Sequence, residues 1–210
     1  MLNALFVNGR CMKFYLLYFL GCFFSLTAYA ASFEEDIVSA LIERTTHDVR
    51  YDGSYLSISY PDGDVPDDIG VCTDVVIRAY RELGVDLQKL VHEDMLENFA
   101  AYPSKRIWGL TRTDKNIDHR RVPNLQAFLS RHGDVLSKST NVKDYKVGDI
   151  VTWMLPGNLP HVGMLTDRMS QQTGNPLIVH NIGRGPEIQD MLFDYKITGH
   201  YRFVPSSYNQ

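Results

Sequence analysis

The fold is decided by the stretch Gly70-Val71-Cys72-Thr73-Asp74-Val75-Val76-Ile77-Arg78-Ala79-Tyr80-Arg81-Glu82-Leu83-Gly84. After the cysteine, apolar residues recur at helical spacing and form one face: Val76, Tyr80 and Leu83. Gly84 lies where the glycine that ends a helix is expected. The spacing therefore predicts a helix that starts at or beside Cys72. Unpaired N–H groups and the macrodipole at a helix N-terminus favour negative charge, so this position favours a reactive thiolate.

The first thirty residues have the pattern of a secretory signal. Arg10 and Lys13 precede an apolar run from Phe14 to Leu26, and Ala28-Tyr29-Ala30 forms a cleavage site. The run is shorter than the roughly 20 residues that cross a bilayer as a helix, so we expect no stable membrane insertion. We expect residues 1–30 to be removed, which places the mature chain in the periplasm or outside the cell.

Export would leave a single cysteine, because Cys11 and Cys22 lie in the signal. A lone thiol cannot form an internal disulfide. In an oxidising compartment an unpaired thiol is at risk of oxidation or mispairing, so its presence there calls for a functional explanation. We therefore interpret Cys72 as a catalytic nucleophile. The alternative is a buried, inert cysteine that packs as a small apolar residue. Two further alternatives concern the signal itself, namely a translation start at Met12 and a lipid-bearing Cys22.

Length and charge limit the classes of function. Residues 31–210 suffice for one domain with a substantial core, and we expect a monomer. Loss of Arg10 and Lys13 takes the formal charge from −4 to −6. This balance argues against a nucleic-acid partner, whose binding requires a clustered positive face.

The order of the predicted elements indicates an α+β fold. A capping box at Ser32–Glu35 starts a first helix, and two further helices follow the cysteine helix at about 87–100 and 125–131. Residues 102–123 look irregular. Short apolar, β-branched runs then predict an antiparallel sheet on which the Cys72 helix packs: 150–154, 162–165, 177–182 and 201–204.

Two histidines lie at the ends of predicted strands, His161 and His180. A cysteine hydrolase needs an imidazole within hydrogen-bond reach of the thiol and a third group that orients it. Taken alone, each is more typical of a core or edge histidine. His119, in Asp118-His119-Arg120-Arg121, is expected on a solvated or ion-paired loop.

Together these residues resemble the NlpC/p60-type cell-wall peptidases, which are small papain-like cysteine hydrolases of bacteria. Four elements match in order: Cys72 opening a helix that ends in Tyr80-Arg81-Glu82-Leu83-Gly84, then Gly148-Asp149-Ile150-Val151, then His161-Val162-Gly163-Met164, then His180. The resemblance implies a papain-like domain with N-terminal helices and no cofactor or metal.

The resemblance also implies roles for individual residues. Cys72 is the nucleophile, His161 the general base and acid, and His180 the orienting third member, for which Asn181 is an alternative. Tyr60 corresponds to a tyrosine at an oxyanion or substrate-binding position. The chain departs from the pattern at residues 87–141, which have no counterpart, and in Gly-Val-Cys-Thr-Asp, which replaces Asp-Cys-Ser-Gly. These departures affect the substrate specificity that the resemblance implies more than the type of reaction that it implies.

The expected function is an exported hydrolase of a peptide or amide bond in peptidoglycan, which acts through an acyl-thioester on Cys72. Its partner is the stem peptide, and the expected bond lies between D-glutamate and the diamino acid. The alternatives are a non-catalytic cell-wall or protein-binding module, and a papain-like amidase or acyltransferase on another substrate. A zinc enzyme that uses His161 and His180 with His119 or Asp74 is disfavoured, because no short-spaced ligand motif is present.

Overall fold

The structure, a computed structural model, describes residues 32–208, so the predicted signal at residues 1–30 lies outside the described part. Within it, the helices are α1 (Phe33–Arg44), α2 (Cys72–Glu82), α3 (Leu87–Asn98), α4 (Ser104–Trp108) and α5 (Val122–His132). The strands are β1 (Arg50–Tyr51), β2 (Ile69–Gly70), β3 (Asp134–Val135), β4 (Ile150–Leu155), β5 (Leu159–Met169), β6 (Pro176–His180), β7 (Glu187–Gln189) and β8 (Lys196–Arg202). The predicted α+β class is confirmed.

Two sheets organise the strands. β1 and β2 form a short parallel pair, and the other six strands form an antiparallel sheet in the order β3-β8-β4-β5-β6-β7. β4 and β5 form a hairpin in which Trp153 pairs with His161. On the other side of β5, Gly163 pairs with His180 of β6. The central strands therefore bring the two predicted histidines to adjacent strands.

Side chains alternate across the sheet, as expected for strands buried on both faces. On one face, Ile150, Val162 and Val179 pack with α1, α2 and α5 in the larger apolar core. On the other face, Trp153 and Ile178 belong to a second cluster with residues 191–193.

Helix α1 begins as its sequence predicts. The Ser32 hydroxyl accepts the Glu35 N–H at 3.2 Å, and the Glu35 carboxylate accepts the Ser32 N–H at 3.1 Å. This reciprocal capping box satisfies two N–H groups that a helix start leaves unpaired. The helix then lies along α2, with Ile37 and Leu41 fully buried.

The Gly-Asp motif has a structural role. Asp149 is fully buried just before β4 and accepts hydrogen bonds from His200 Nε2 at 2.8 Å and Arg202 Nε at 2.8 Å, both on β8. Tyr145 stacks on His200, with ring centres 4.2 Å apart. Because a buried carboxylate requires partners of this kind, the motif fixes β4 to β8.

The residues described belong to one compact unit. Among them, no helix combines the length and apolar character that spanning a membrane requires.

Candidate active site

Cys72 is the first residue of α2, as the spacing predicts. The start of this helix is held in place by a residue that is far from Cys72 in the sequence. The Asp74 carboxylate accepts the Val71 N–H at 2.7 Å and two hydrogen bonds from Arg120, each at 2.8 Å. The Thr73 hydroxyl donates to the Arg120 carbonyl at 3.0 Å. The segment between α4 and α5 thus fixes the start of α2 through a buried, bidentate ion pair.

Cys72 Sγ lies beside β5, near the backbone N–H of Val162, the residue after His161. Its side chain is 4 % exposed. Burial raises the pKa of the Cys72 thiol to about 11, although N–H bonds from Val162, Thr73 and Cys72 itself oppose this rise. The helix start alone favoured a thiolate, but desolvation outweighs it, so the resting group is a neutral thiol.

His161 and His180 form a buried hydrogen-bonded pair. His161 Nε2 lies 3.2 Å from His180 Nδ1, and the two rings are nearly perpendicular. Burial, followed by the neighbouring His180, lowers the pKa of His161 to about 3. Burial also lowers the pKa of His180. Both imidazoles are therefore neutral at pH 7, a state in which a ring nitrogen can accept a proton.

A residue that the sequence analysis missed completes this row. His180 Nε2 lies 3.0 Å from Gln189 Oε1 on β7. β7 has only three residues, Glu187–Gln189, which is too short for an alternating pattern to reveal it. Only its pairing with β6 places Gln189 beside the histidines.

His161 is hydrogen-bonded to His180, whereas Asn181 bonds within its own turn. The Asn181 Oδ1 accepts the Gly183 N–H at 3.0 Å, and its Nδ2 has no hydrogen-bond partner among the described residues. His180, by contrast, bonds both His161 and Gln189. Of the two residues that the sequence left open, the geometry favours His180.

Cys72 lies in the wall of an open cleft of about 530 Å³. One side is formed by the segment around α4 and the start of α5, including Trp108 and Arg121, and the opposite side by Tyr51 and by Pro160 of the β4–β5 hairpin. The guanidinium of Arg121 lies 4.4 Å from the centre of the Trp108 ring, within cation–π range. Part of residues 87–141, the stretch that has no counterpart in the NlpC/p60 pattern, therefore forms one wall of the cleft.

The tyrosine at this cleft is Tyr51, not the predicted Tyr60. Tyr51 lines the cleft with Cys72, and burial raises the pKa of its phenol to about 12, so it is a donor at neutral pH. Tyr60 lies against α3, where its ring meets His92 edge-on at 5.0 Å and its hydroxyl lies 3.5 Å from Glu93. Tyr60 precedes the cysteine at a family-like spacing, but the loop between β1 and β2 carries it away from the cleft.

His119 is buried, which differs from the solvated or ion-paired loop expected for it. It lies in a single 3₁₀ turn, Asp118–Arg120, and is 2 % exposed. Burial lowers its pKa to about 4. Its Nδ1 has no hydrogen-bond partner among the described residues, and it does not line the cleft.

In the described part of the chain, no three His, Cys, Asp or Glu side chains are arranged to hold a metal ion. The geometry pairs two neutral imidazoles with each other and places the Cys72 thiol and the Tyr51 phenol in the cleft, whereas no hydrogen bond within the described residues joins the thiol to either imidazole. These groups can carry out nucleophilic attack, proton transfer and hydrogen-bond donation to a developing negative charge.

Comparison with known proteins places the chain among relatives without an assigned activity. Residues 38–203 match a family model described as a domain of unknown function, DUF1287. Uncharacterized protein YijF of Escherichia coli (strain K12) is 54% identical over 153 residues, which are 73% of this chain and 73% of that protein. The chain belongs to the DUF1287 family.

Proposed function

We propose that this protein is an exported cysteine hydrolase that cleaves a peptide or amide bond of peptidoglycan. The observation that carries the proposal is the position of Cys72: it opens α2, lies in the wall of a cleft, and is near the backbone N–H of Val162, which follows His161 of the His161–His180 pair. A nucleophile beside an imidazole that a third group orients is the arrangement that acyl transfer requires.

The resting groups determine how the reaction starts. Since the thiol and His161 are both neutral, His161 accepts the thiol proton as sulfur attacks the carbonyl carbon of the substrate, instead of acting through a preformed ion pair. The carbonyl becomes a tetrahedral oxyanion, to which Tyr51 and the N–H groups at the α2 start can donate. The Val71 N–H is already taken by Asp74.

The intermediate collapses when the carbon–nitrogen bond breaks and His161 gives its proton to the leaving amine. The acyl group then remains on sulfur as a thioester. Water attacks this thioester, His161 accepts the proton of the water, and the carboxylic acid leaves while the thiol is restored. Throughout, His180 stabilises the imidazolium of His161 by accepting its Nε2 proton in a hydrogen bond.

The substrate assignment rests on the resemblance and on the cleft. An open cleft suits a peptide that is attached to a polymer better than a closed small-molecule pocket would. Its wall carries apolar side chains, such as Trp108, beside the cationic Arg121. A stem peptide offers both apolar side chains and carboxylates. The predicted signal at residues 1–30 places the protein where this polymer is found.

A non-catalytic binding module on the same fold is the second candidate. The observation that favours it is the burial of Cys72, which leaves the thiol protonated at neutral pH. In that case the cleft would hold a cell-wall peptide or a protein partner without cleaving it. A papain-like acyltransferase would use the same groups with an amine in place of water.

The test uses the chain from Ala31, incubated with purified peptidoglycan fragments and with free stem peptides, with products identified by mass spectrometry. We expect one new carboxyl and one new amine terminus, insensitivity to chelators, and complete loss in Cys72→Ser. His161→Gln should lose nearly all activity, while His47→Gln, a partly exposed histidine on the helical side, should keep it. Binding of the fragments without cleavage by the wild type would contradict the hydrolase and support the binding module.

A further inference from the structure

Gln189 ends a row of three side chains that crosses β5, β6 and β7. The contacts are His161 Nε2 to His180 Nδ1 at 3.2 Å and His180 Nε2 to Gln189 Oε1 at 3.0 Å. In the β6–β7 register His180 pairs with Glu187, and Gln189 pairs with Ile178. Gln189 is therefore the diagonal neighbour of His180 on the same face of the sheet, a position from which a long side chain can reach it.

Each contact in the row needs one donor and one acceptor, and a neutral imidazole has one of each. The amide oxygen of Gln189 can only accept, so His180 Nε2 carries a proton and donates it. His180 Nδ1 is then the acceptor, and His161 Nε2 must be the donor. This leaves Nδ1 of His161 without a proton. We propose that Gln189 is a positioning residue that sets the tautomers of both histidines and so keeps Nδ1 of His161 available as the base.

The choice of an amide in place of a carboxylate has a physical consequence. A carboxylate at this position would accept the same hydrogen bond but would also favour a charged His180, which would repel the imidazolium that forms on His161. The other charges that act on His180 are Glu187 and Arg184, which pair with each other at 3.2 Å. Gln189 thus orients the pair without adding charge to it. That Nδ1 serves as the base rests on the proposed function, whereas the tautomers themselves do not.

The tautomers can be measured without any substrate, by long-range proton–nitrogen NMR on the chain from Ala31 labelled with ¹⁵N-histidine. Signals are assigned with His161→Gln and His180→Gln. In the wild type at pH 7.5 we expect both rings as the Nε2–H tautomer. Gln189→Met, which keeps length but removes the acceptor, should lose this selection in His180 and His161. Gln189→Glu restores an accepting oxygen and, at a pH high enough to keep His180 neutral, should retain Nε2–H on both rings.

The matched control is Gln171→Leu, at an exposed position in the turn between β5 and β6, which should leave both rings unchanged. Circular dichroism and melting temperature establish that each variant is folded. An Nδ1–H tautomer on His161 in the wild type, or wild-type tautomers in folded Gln189→Met, would overturn the proposal.

Enzyme kinetics test the positioning role of Gln189 independently. With a cleavable stem peptide, Gln189→Met should lower kcat with KM unchanged, because binding in the cleft does not involve Gln189. An unchanged kcat in this variant would also refute the positioning role. If the wild type cleaves nothing while the tautomers follow the prediction, the proposed function fails and the effect of Gln189 on the histidines stands.

Discussion

The buried ion pair between Asp74 and Arg120 makes a quantitative prediction. The two side chains are 3% and 4% exposed and share two hydrogen bonds of 2.8 Å. In Arg120→Met the carboxylate stays buried and keeps only the Val71 N–H. Removing one partner of a buried pair costs about 3–5 kcal/mol, because it leaves an uncompensated charge. We expect a loss of this size in the free energy of unfolding.

The measurement is urea unfolding followed by far-UV circular dichroism, with linear extrapolation and a check that the slope is unchanged. The double variant Asp74→Asn with Arg120→Met removes both charges and keeps an acceptor for the Val71 N–H, so it should recover most of the loss. As a surface comparison, Arg184→Met breaks the exposed pair with Glu187 and should cost no more than about 1 kcal/mol. A loss below about 1 kcal/mol in Arg120→Met, or no recovery in the double variant, would refute this reasoning.

Three further predictions follow from burial and close packing around the site. The rate of Cys72 alkylation by iodoacetamide should rise about tenfold per pH unit between pH 7 and 10, because the thiol pKa is about 11; a rate that is already constant below pH 7 would show a preformed ion pair. In Gly163→Ala the new Cβ would meet Ile178 Cγ2 at 2.7 Å, so β5 and β6 must separate and the free energy of unfolding should fall by about 1–3 kcal/mol. The control Gly53→Ala, whose new Cβ has its nearest atom at 3.6 Å, should change the free energy of unfolding by less than about 0.5 kcal/mol. Equal losses in the two variants would exclude this packing account. The pKa values of His161 and His119 fall to about 3 and about 4 in the native state, so between about pH 6.5 and 4 only the unfolded chain takes up these protons. The free energy of unfolding should therefore fall with falling pH by about 1.4 kcal/mol per pH unit for each histidine. An unchanged slope in His119→Gln would contradict the contribution of His119.

Local patterns in the sequence predicted the elements that carry the candidate site. The capping box at Ser32 and the spacing after Cys72 correspond to the starts of α1 and α2, because each reflects contacts within one or two helical turns. The short apolar, partly β-branched runs after Gly148 predicted the central strands for the same reason. The helix expected at 125–131 begins earlier, at Val122, since Pro123 suits a first turn, where its missing N–H costs nothing.

The parts that the sequence could not predict depend on contacts between distant residues. Tyr51 replaces Tyr60 at the cleft because the path of the loop between β1 and β2, and not the distance along the chain to Cys72, decides which tyrosine reaches the thiol. Gln189 was missed because only the pairing of β7 with β6 brings it to His180. The pKa of Cys72 was expected to fall at a helix start, but it depends on how many atoms of the rest of the fold surround the sulfur.

The two walls of the cleft come from different parts of the fold. Trp108 and Arg121 come from the helical segment that links α3 to α5, whereas Pro160 comes from the sheet strand that continues to His161. Loops of this segment can therefore be exchanged by design to change that wall while the histidine pair on β5 and β6 stays as it is. The exception is Arg120: because it anchors Asp74 at the start of α2, a transplanted segment that lacked this arginine would leave the start of the Cys72 helix unanchored.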